Sequence, residues 1–267
     1  MGDDGIVENI LEVENLLFRY TKDIVINRIS FSVKRGKVIG ILGPNGSGKT
    51  TLLRAIGGFL PHIEGSIFYN GKDIFSITVK ERAKEIAFIP QFVSVPFNFN
   101  VEEIVLMGRY PHKSRFEALN NEDRTALENA LRYTELVHKR KQNINSLSGG
   151  EVQRVFLAQV ISQKARLLLL DEPISHLDLG HKVKFLNLIS RMSKEDKITS
   201  LIVLHDINLA ALYCDEILML DKGRIIDKGI PARVINKGNI ESLYKTKVFV
   251  KKHPLFDKPQ IFFMPEK

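Results

Sequence analysis

The octapeptide Gly43-Pro44-Asn45-Gly46-Ser47-Gly48-Lys49-Thr50 constrains this chain more than any other feature. It matches the phosphate-binding pattern GxxxxGK[ST], and its flanks give that match physical meaning. Val38-Ile39-Gly40-Ile41-Leu42 is a short apolar run suited to a buried strand. Thr51-Leu52-Leu53-Arg54-Ala55-Ile56 then reads as the start of a helix. A strand, a glycine-rich turn and a helix N-terminus together aim several backbone N–H groups at one point. Lys49 adds a cation for the β- and γ-phosphates, and the Thr50 hydroxyl can ligate Mg²⁺. The arrangement implies an α/β core with a nucleoside triphosphate as its ligand.

A second segment, Leu147-Ser148-Gly149-Gly150-Glu151, leads into Val152-Gln153-Arg154. Ser148 offers a hydroxyl, Gly149 and Gly150 let backbone N–H groups approach an anion, and the helix that follows has its positive end there. A third segment is Leu167-Leu168-Leu169-Leu170-Asp171-Glu172-Pro173. Four consecutive leucines fit a parallel strand buried on both faces. Two adjacent carboxylates at its tip are costly unless a cation or a water network receives them.

These three segments resemble those of ATP-binding cassette (ABC) ATPases, and the resemblance covers nearly the whole chain. It implies that Gly43, Pro44, Asn45, Gly46, Ser47, Gly48, Lys49, Thr50 and Thr51 cradle ATP. It implies further that Ser148, Gly149, Gly150 and Glu151 serve not their own copy but the γ-phosphate held by a second one, with Asp178 in the neighbouring D-loop. Asp171 then matches the aspartate that holds Mg²⁺, mostly through water, and Glu172 the glutamate that polarises the attacking water. Gln91, after the strand-like Ile86-Ala87-Phe88-Ile89, matches the glutamine that reaches Mg²⁺ and the lytic water. His205, ending Leu201-Ile202-Val203-Leu204, matches the histidine that contacts the γ-phosphate. Alone, a histidine at a strand tip is more often structural; the surrounding motifs reverse that judgement. Tyr20 matches the aromatic residue that stacks on adenine, although a tyrosine near a strand end is commonly just packing. The expected catalytic set is Lys49, Gln91, Glu172 and His205, and the expected metal set is Thr50, Gln91 and Asp171. Ile174 and His176 stand where many members of the family have Thr and Ala, which removes no phosphate ligand.

The implied fold is α/β: a RecA-like P-loop NTPase core with an antiparallel β subdomain and an inserted α-helical subdomain, the ABC ATPase architecture. Alternation through Leu11, Val13, Leu16 and Phe18, with Gly65–Tyr69, predicts the antiparallel sheet. Val101–Met107 and a stretch from Asn121, read as an N-cap, through Thr134 are helical in pattern. A helix is expected at 182–192, a strand at 201–204 and a strand-rich segment at 216–227. Lys247-Val248-Phe249-Val250 and Gln260-Ile261-Phe262-Phe263 suggest a terminal hairpin. The expected organisation is one domain over 9–267. Its core runs through 9–91 and 160–243, its helical subdomain over 92–159, and its C-terminal extension over 244–267.

With 267 residues, of which 44% are hydrophobic, the chain can bury a full core. A single cysteine, Cys214, excludes an intrachain disulfide and a cysteine metal cluster; it reads as a small buried hydrophobe on a helix. The acidic N-terminus lacks the features of a signal peptide, and no apolar run reaches the roughly 20 residues needed to span a bilayer. If the protein acts at a membrane, another chain must supply the channel. The net charge of +8 raises nucleic acid or anionic lipid as a partner. However, His138-Lys139-Arg140-Lys141 and Lys251-Lys252-His253 have no interleaved aromatics, so solvated surface is the favoured reading and no nucleic acid is expected.

Val101–His112 and Ser175-His176-Leu177-Asp178-Leu179 are similar to the ATPases of importers for iron–siderophore complexes, haem and vitamin B12. That resemblance implies a peripheral subunit on the cytoplasmic face of the inner membrane. It would act as an ATP-dependent head-to-tail homodimer beneath a membrane permease, with a substrate-binding protein delivering cargo. Molybdate or tungstate importers have similar architecture and stay open. Phe92-Val93-Ser94-Val95-Pro96-Phe97-Asn98-Phe99 is apolar for a loop, with some residues expected to face inward and some toward the membrane subunit. A chromosome-maintenance or DNA-repair ATPase would separate the motifs by a long coiled coil, and a ribosome-acting factor would carry two sets of them. A non-catalytic sensor would be expected to lose Glu172 or His205.

Overall fold

Strands β1 (Asn9–Arg19) and β2 (Ile24–Lys34) are rich in β-branched and aromatic residues and pair antiparallel, with Val13 opposite Phe31 and Leu16 opposite Ile29. The computed structural model describes residues 9–91, 97–114 and 117–264. The wholly buried β3 (Val38–Leu42) enters the glycine-rich turn, and α1 (Lys49–Ile56) leaves it. β4 (Glu64–Tyr69) and β5 (Lys72–Asp73) complete an antiparallel sheet of order β2-β1-β4-β5. A capping box between Thr78 and Glu81 starts α2 (Val79–Glu85), which runs directly into β6 (Ile86–Ile89).

Three helices follow: α3 (Val101–Met107), α4 (Asn121–Tyr133) and α5 (Gly149–Gln163). Next come β7 (Leu167–Leu170), α6 (Leu179–Asp196), β8 (Thr199–Val203), α7 (Ile207–Tyr213), β9 (Glu216–Asp221) and β10 (Arg224–Gly229). The chain closes with α8 (Pro231–Val234), α9 (Lys237–Tyr244) and the hairpin β11 (Val248–Lys252) and β12 (Pro259–Phe263). The central sheet has the order β10-β9-β3-β8-β7-β6, parallel throughout except for β10.

The leucine run of β7 shows how a strand serves two cores. Leu167 and Leu169 face the antiparallel sheet and α1, while Leu168 and Leu170 face the other side with α5 and α6. Alternation of side chains sends neighbours to opposite faces, and full burial of each is worth about 1.5–3 kcal/mol. The first core joins Ile39, Ile41, Leu201 and Val203 to Leu52, Leu53 and Ile56 of α1. Because β3, β6, β7 and β8 are parallel, their C-terminal ends share one edge of the sheet, and the segments that follow them collect there.

The helical lobe is held by a close approach and a buried charge. A β-carbon on Gly108 would lie 2.2 Å from the carbonyl oxygen of Gln159, so only glycine lets the end of α3 meet α5 there. Arg109 is 2% exposed; its Nε donates to Asp123 Oδ1 at 3.0 Å and its Nη1 to the Ser162 carbonyl at 2.8 Å. Part of the stretch that suggested a subfamily therefore has a packing reason within the chain.

Three local expectations need correction. The N-cap of α4 is Asn120, whose Oδ1 accepts from the Asp123 N–H while Asp123 reaches back; Asn121 is the first helical residue. Cys214 is buried as expected, but it lies past the end of α7 in an extended conformation, and burial pushes its thiol up to about 12. α6 is longer than 182–192: Asp178 caps it, so it starts at Leu179, three residues earlier, and it runs on to Asp196. Of the apolar loop, Phe92, Val93, Ser94, Val95 and Pro96 lie outside the described residues, Phe99 packs on the core and Phe97 is 66% exposed.

Candidate functional site

The turn between β3 and α1 is shaped by glycines in the left-handed region, with φ of 77° at Gly46 and 102° at Gly48. Gly48 caps α1 without a side-chain acceptor, so the first N–H groups of the helix have no cap from within the turn. The turn wraps its own cation: Lys49 Nζ donates to the carbonyls of Gly43 and Pro44, each at 2.9 Å. Burial lowers the affinity of that amine for its proton, opposed by the charges of Glu172 and Asp171. Ser47 Oγ is buried with no hydrogen-bond partner, an orphaned polar atom inside the loop.

The carboxylates come from the end of β7. Asp171 is 3% exposed and its Oδ1 accepts from Thr50 Oγ1 at 2.9 Å. Burial pushes its carboxyl above the usual range, the Thr50 hydrogen bond opposes this, and the charge of Glu172 adds to it. Glu172 has φ of 50°, an uncommon conformation for a side chain of this size. Its Oε2 accepts from Gln91 Nε2 at 2.7 Å, and its Oε1 lies 2.7 Å from His205 Nε2. Gln91 follows β6 and His205 follows β8, the neighbour of β7 on each side.

Asn45, Gly46, Gly48, Lys49, Thr50, Thr51, Gln91, Glu172 and His205 line one cleft of about 470 Å³ together with Val25. Val25 was not anticipated, since an apolar residue in β2 carries no chemical signal. Gly43, Pro44 and Ser47 shape the loop from behind, and Asp171 joins through Thr50. Other expected residues are not in that cleft. Tyr20 lies just past β1, is 55% exposed and packs edge-on against Phe18 with ring centres 4.9 Å apart.

Ser148 caps α5 in a reciprocal box with Glu151, whose carboxylate also pairs with Lys139 at 2.5 Å. Led by that Lys139 hydrogen bond, these contacts lower the Glu151 carboxyl to about 2. Gly149 is exposed and Gly150 buried, and neither lines the cleft. Asp178 caps α6 and accepts from His181. A second cleft, of about 390 Å³, shares Glu172 and His205 with the first and is lined further by Ser175 and by Ile261 and Phe263 of the hairpin. That involvement of the C-terminal segment had no sign in the sequence.

The basic cluster near α5 is committed internally. Lys139 pairs with Glu151, Arg140 with Glu102 and Glu128, and Lys141 with Glu102.

A hydroxyl and a buried carboxylate are hard oxygen donors of the type Mg²⁺ takes. Among the described residues, no group of three or more His, Cys, Asp and Glu side chains forms a metal cage. Two protein donors beside a phosphate loop suit a cation that keeps water and phosphate oxygens as its other ligands. The unpartnered Ser47 hydroxyl and the buried Asp171 carboxyl, held above its usual range by that burial, both fit an occupant with anionic oxygens and a counter-cation. Among the described residues, no helix is long and apolar enough to cross a membrane.

The family model for ABC transporters matches residues 26–175. The iron(3+)-hydroxamate import ATP-binding protein of Bacillus subtilis is 35% identical over 251 residues, covering 94% of this chain and 93% of that protein. An uncharacterized ABC transporter ATP-binding protein of the same organism is 38% identical over 258 residues, covering 96% of this chain; the chain spans only 58% of that relative's length. A solved chain from an inward-facing ABC transporter assigned to the metal-chelate type superimposes with a TM-score of 0.85 at 29% identity, covering 97% of this chain and 98% of the other.

Proposed function

The chain belongs to the ABC transporter family, and from that premise we propose that it binds and hydrolyses ATP to drive import of a metal chelate of the iron–siderophore, haem or cobalamin class. The observation that carries this reading is one cleft in which Lys49, Thr50, Gln91, Glu172 and His205 meet at the ends of three adjacent strands and a phosphate loop. The hydroxamate relative and the metal-chelate-type structure support the cargo class.

In this reading the chain is one domain over 9–267, and 92–159 is the lobe that carries the second copy's contact. The turn amides and Lys49 bind the β- and γ-phosphates, which replace the Gly43 and Pro44 carbonyls as partners of Nζ. Thr50 and Asp171 would hold Mg²⁺, which when bound would supply positive charge against the phosphate oxygens. Gln91 and His205 fix the Glu172 carboxylate, which orients the attacking water and receives its proton as the γ-phosphorus bond to the bridging oxygen breaks. His205 then faces the γ-phosphate, and Tyr20 stacks on the base.

Ser148, Gly149, Gly150 and Glu151 do not reach their own cleft, so they serve the triphosphate of a second copy, with Asp178 beside them. Each ATP then favours the closed pair, and its loss opens it. In this reading a membrane permease receives that motion near Gln91 and the exposed Phe97, and the chain sits peripherally at the cytoplasmic face. A substrate-binding protein would supply the cargo.

The test is phosphate release by the chain reconstituted with its membrane partner in liposomes. Stimulation by a ferric siderophore or cobalamin is expected, and absence of any Mg·ATP-dependent phosphate release would sink the proposal.

A further inference from the structure

His181 touches two segments that the two-copy reading places at the same interface. It is the third residue of α6, and its backbone N–H donates to Oδ1 of the capping Asp178 at 2.8 Å. Its ring Nδ1 lies 2.9 Å from Oδ1 and 2.9 Å from Oδ2 of that carboxylate. Asp178 can only accept, so Nδ1 carries the hydrogen, and the ring is oriented by the same group that caps the helix.

The ring also meets α5. A β-carbon on Gly150 would lie 2.2 Å from His181 Cδ2, 2.5 Å from Cγ and 3.0 Å from Cβ. The imidazole therefore occupies the space where a side chain at position 150 would stand. Any larger residue there would have to displace the His181 side chain, whatever anion approaches the N–H of residue 150. Alongside it, a β-carbon on Gly149 would lie 3.9 Å from Leu177 Cδ2, an ordinary packing distance.

Two glycines open α5, and glycine gives a helix end little resistance to fraying. The Ser148–Glu151 box secures its hydrogen bonds, but no side chain of residues 149 or 150 can anchor it. A ring fixed by Asp178 and laid against Gly150 supplies that anchor from outside.

We propose that His181 is a positioning residue that locks the first turn of α5 to the turn ending at Asp178, so that both approach the second copy as one edge. The proposal rests on the two-copy reading and adds an element to it: the edge is assembled within each chain before ATP joins the pair.

The experiment uses the full chain carrying Glu172→Gln, with ATP-driven association followed by sedimentation. His181→Ala is expected to weaken association about tenfold while leaving the melting temperature and the nucleotide affinity of the single chain at parental values. His181→Asn keeps a donor near the Nδ1 position, and His181→Phe keeps a ring over Gly150. Each should recover part of the loss, because the lock needs both contacts. Parental association by His181→Ala overturns the proposal, as does full recovery by His181→Phe alone. A loss accompanied by an equal loss of single-chain nucleotide affinity and a lower melting temperature also overturns it, since His181 would then be ordinary packing. If the parental Glu172→Gln chain does not associate with its membrane partner present, the two-copy reading itself fails.

Discussion

His205 Nε2 stands 2.7 Å from Glu172 Oε1, so a side chain following one parallel strand holds the carboxylate that follows its neighbour. Gln91, after the strand on the other side, donates to the remaining oxygen at 2.7 Å. Both carboxylate oxygens are thus engaged, and the left-handed backbone at Glu172 aims the side chain between them. A carboxylate fixed in this way has lost its rotamer freedom before any water arrives.

Glu172→Gln retains the size and an acceptor oxygen for Gln91 but cannot take a proton. Nucleotide affinity should remain near parental while turnover falls by about a hundredfold or more. The bound pair should persist because its ATP is not consumed. Paired nucleotide-binding and phosphate-release assays check this, and turnover at the parental rate would remove Glu172 from its proposed role.

Ser148→Ala should act in two ways that one measurement cannot separate. Loss of the cap costs about 1 kcal/mol locally and frees Glu151 from one arm of the box. Loss of the hydroxyl also removes a donor proposed for the second copy's phosphate. Ser148→Asp restores a cap but places a negative charge toward that phosphate. Hydrogen exchange in the first turn of α5 should recover in Ser148→Asp, whereas phosphate release should not.

What could be read before the structure follows from contiguity. The turn at Gly43–Thr50 carries its strand, glycines, cation and helix in one short stretch, so its geometry is local. Gln91, Glu172 and His205 carry no sign of one another. They meet because β6, β7 and β8 are neighbours in the sheet, which no periodicity encodes, and only a resemblance linked them beforehand. Asn120 and Asn121 offer the same cap chemistry, and a one-residue choice was decided by whether Asp123 could reach back. His181 was invisible for a different reason: the volume it fills is marked only by an absent side chain at Gly150.

Asp123 lies 2.5 Å from Lys113 and 3.0 Å from Arg109, and its side chain and that of Arg109 are both 2% exposed. Burial alone would raise its carboxyl, but the Asn120 N–H, Lys113 and Arg109 outweigh it and hold the group at about 2. A folded value below the ordinary 3.8 means the stabilisation is present above about pH 4 and is lost as pH falls toward about 2. Asp123→Ala should cost about 3 kcal/mol at neutral pH, because Arg109 stays buried with its strongest partner gone. Denaturant titrations should show this loss at neutral pH, shrinking through the acid range. A pH-independent difference between the proteins would contradict the ionic account.

Asn208 treats the C-terminal strand as a strand would. Its Oδ1 accepts from the Ile261 N–H at 2.7 Å and its Nδ2 donates to the Ile261 carbonyl at 3.2 Å, clipping β12 to α7. Ile261 is 4% exposed, so water cannot readily replace either bond. Asn208→Ala should leave both groups unpaired and destabilise the attachment of the hairpin by about 2 kcal/mol. Asn208→Asp keeps the acceptor for the N–H but offers the carbonyl only another acceptor, so it should restore protection at the Ile261 amide alone. β11 and β12 remain paired with each other in both variants, so their mutual hydrogen bonds should exchange as before while Ile261 exchanges faster in Asn208→Ala. Because Ile261 and Phe263 wall the second cleft beside Glu172 and His205, the same variant should also loosen that wall. Unchanged exchange at Ile261 would mean that apolar packing alone holds the hairpin, with the paired bonds contributing nothing measurable.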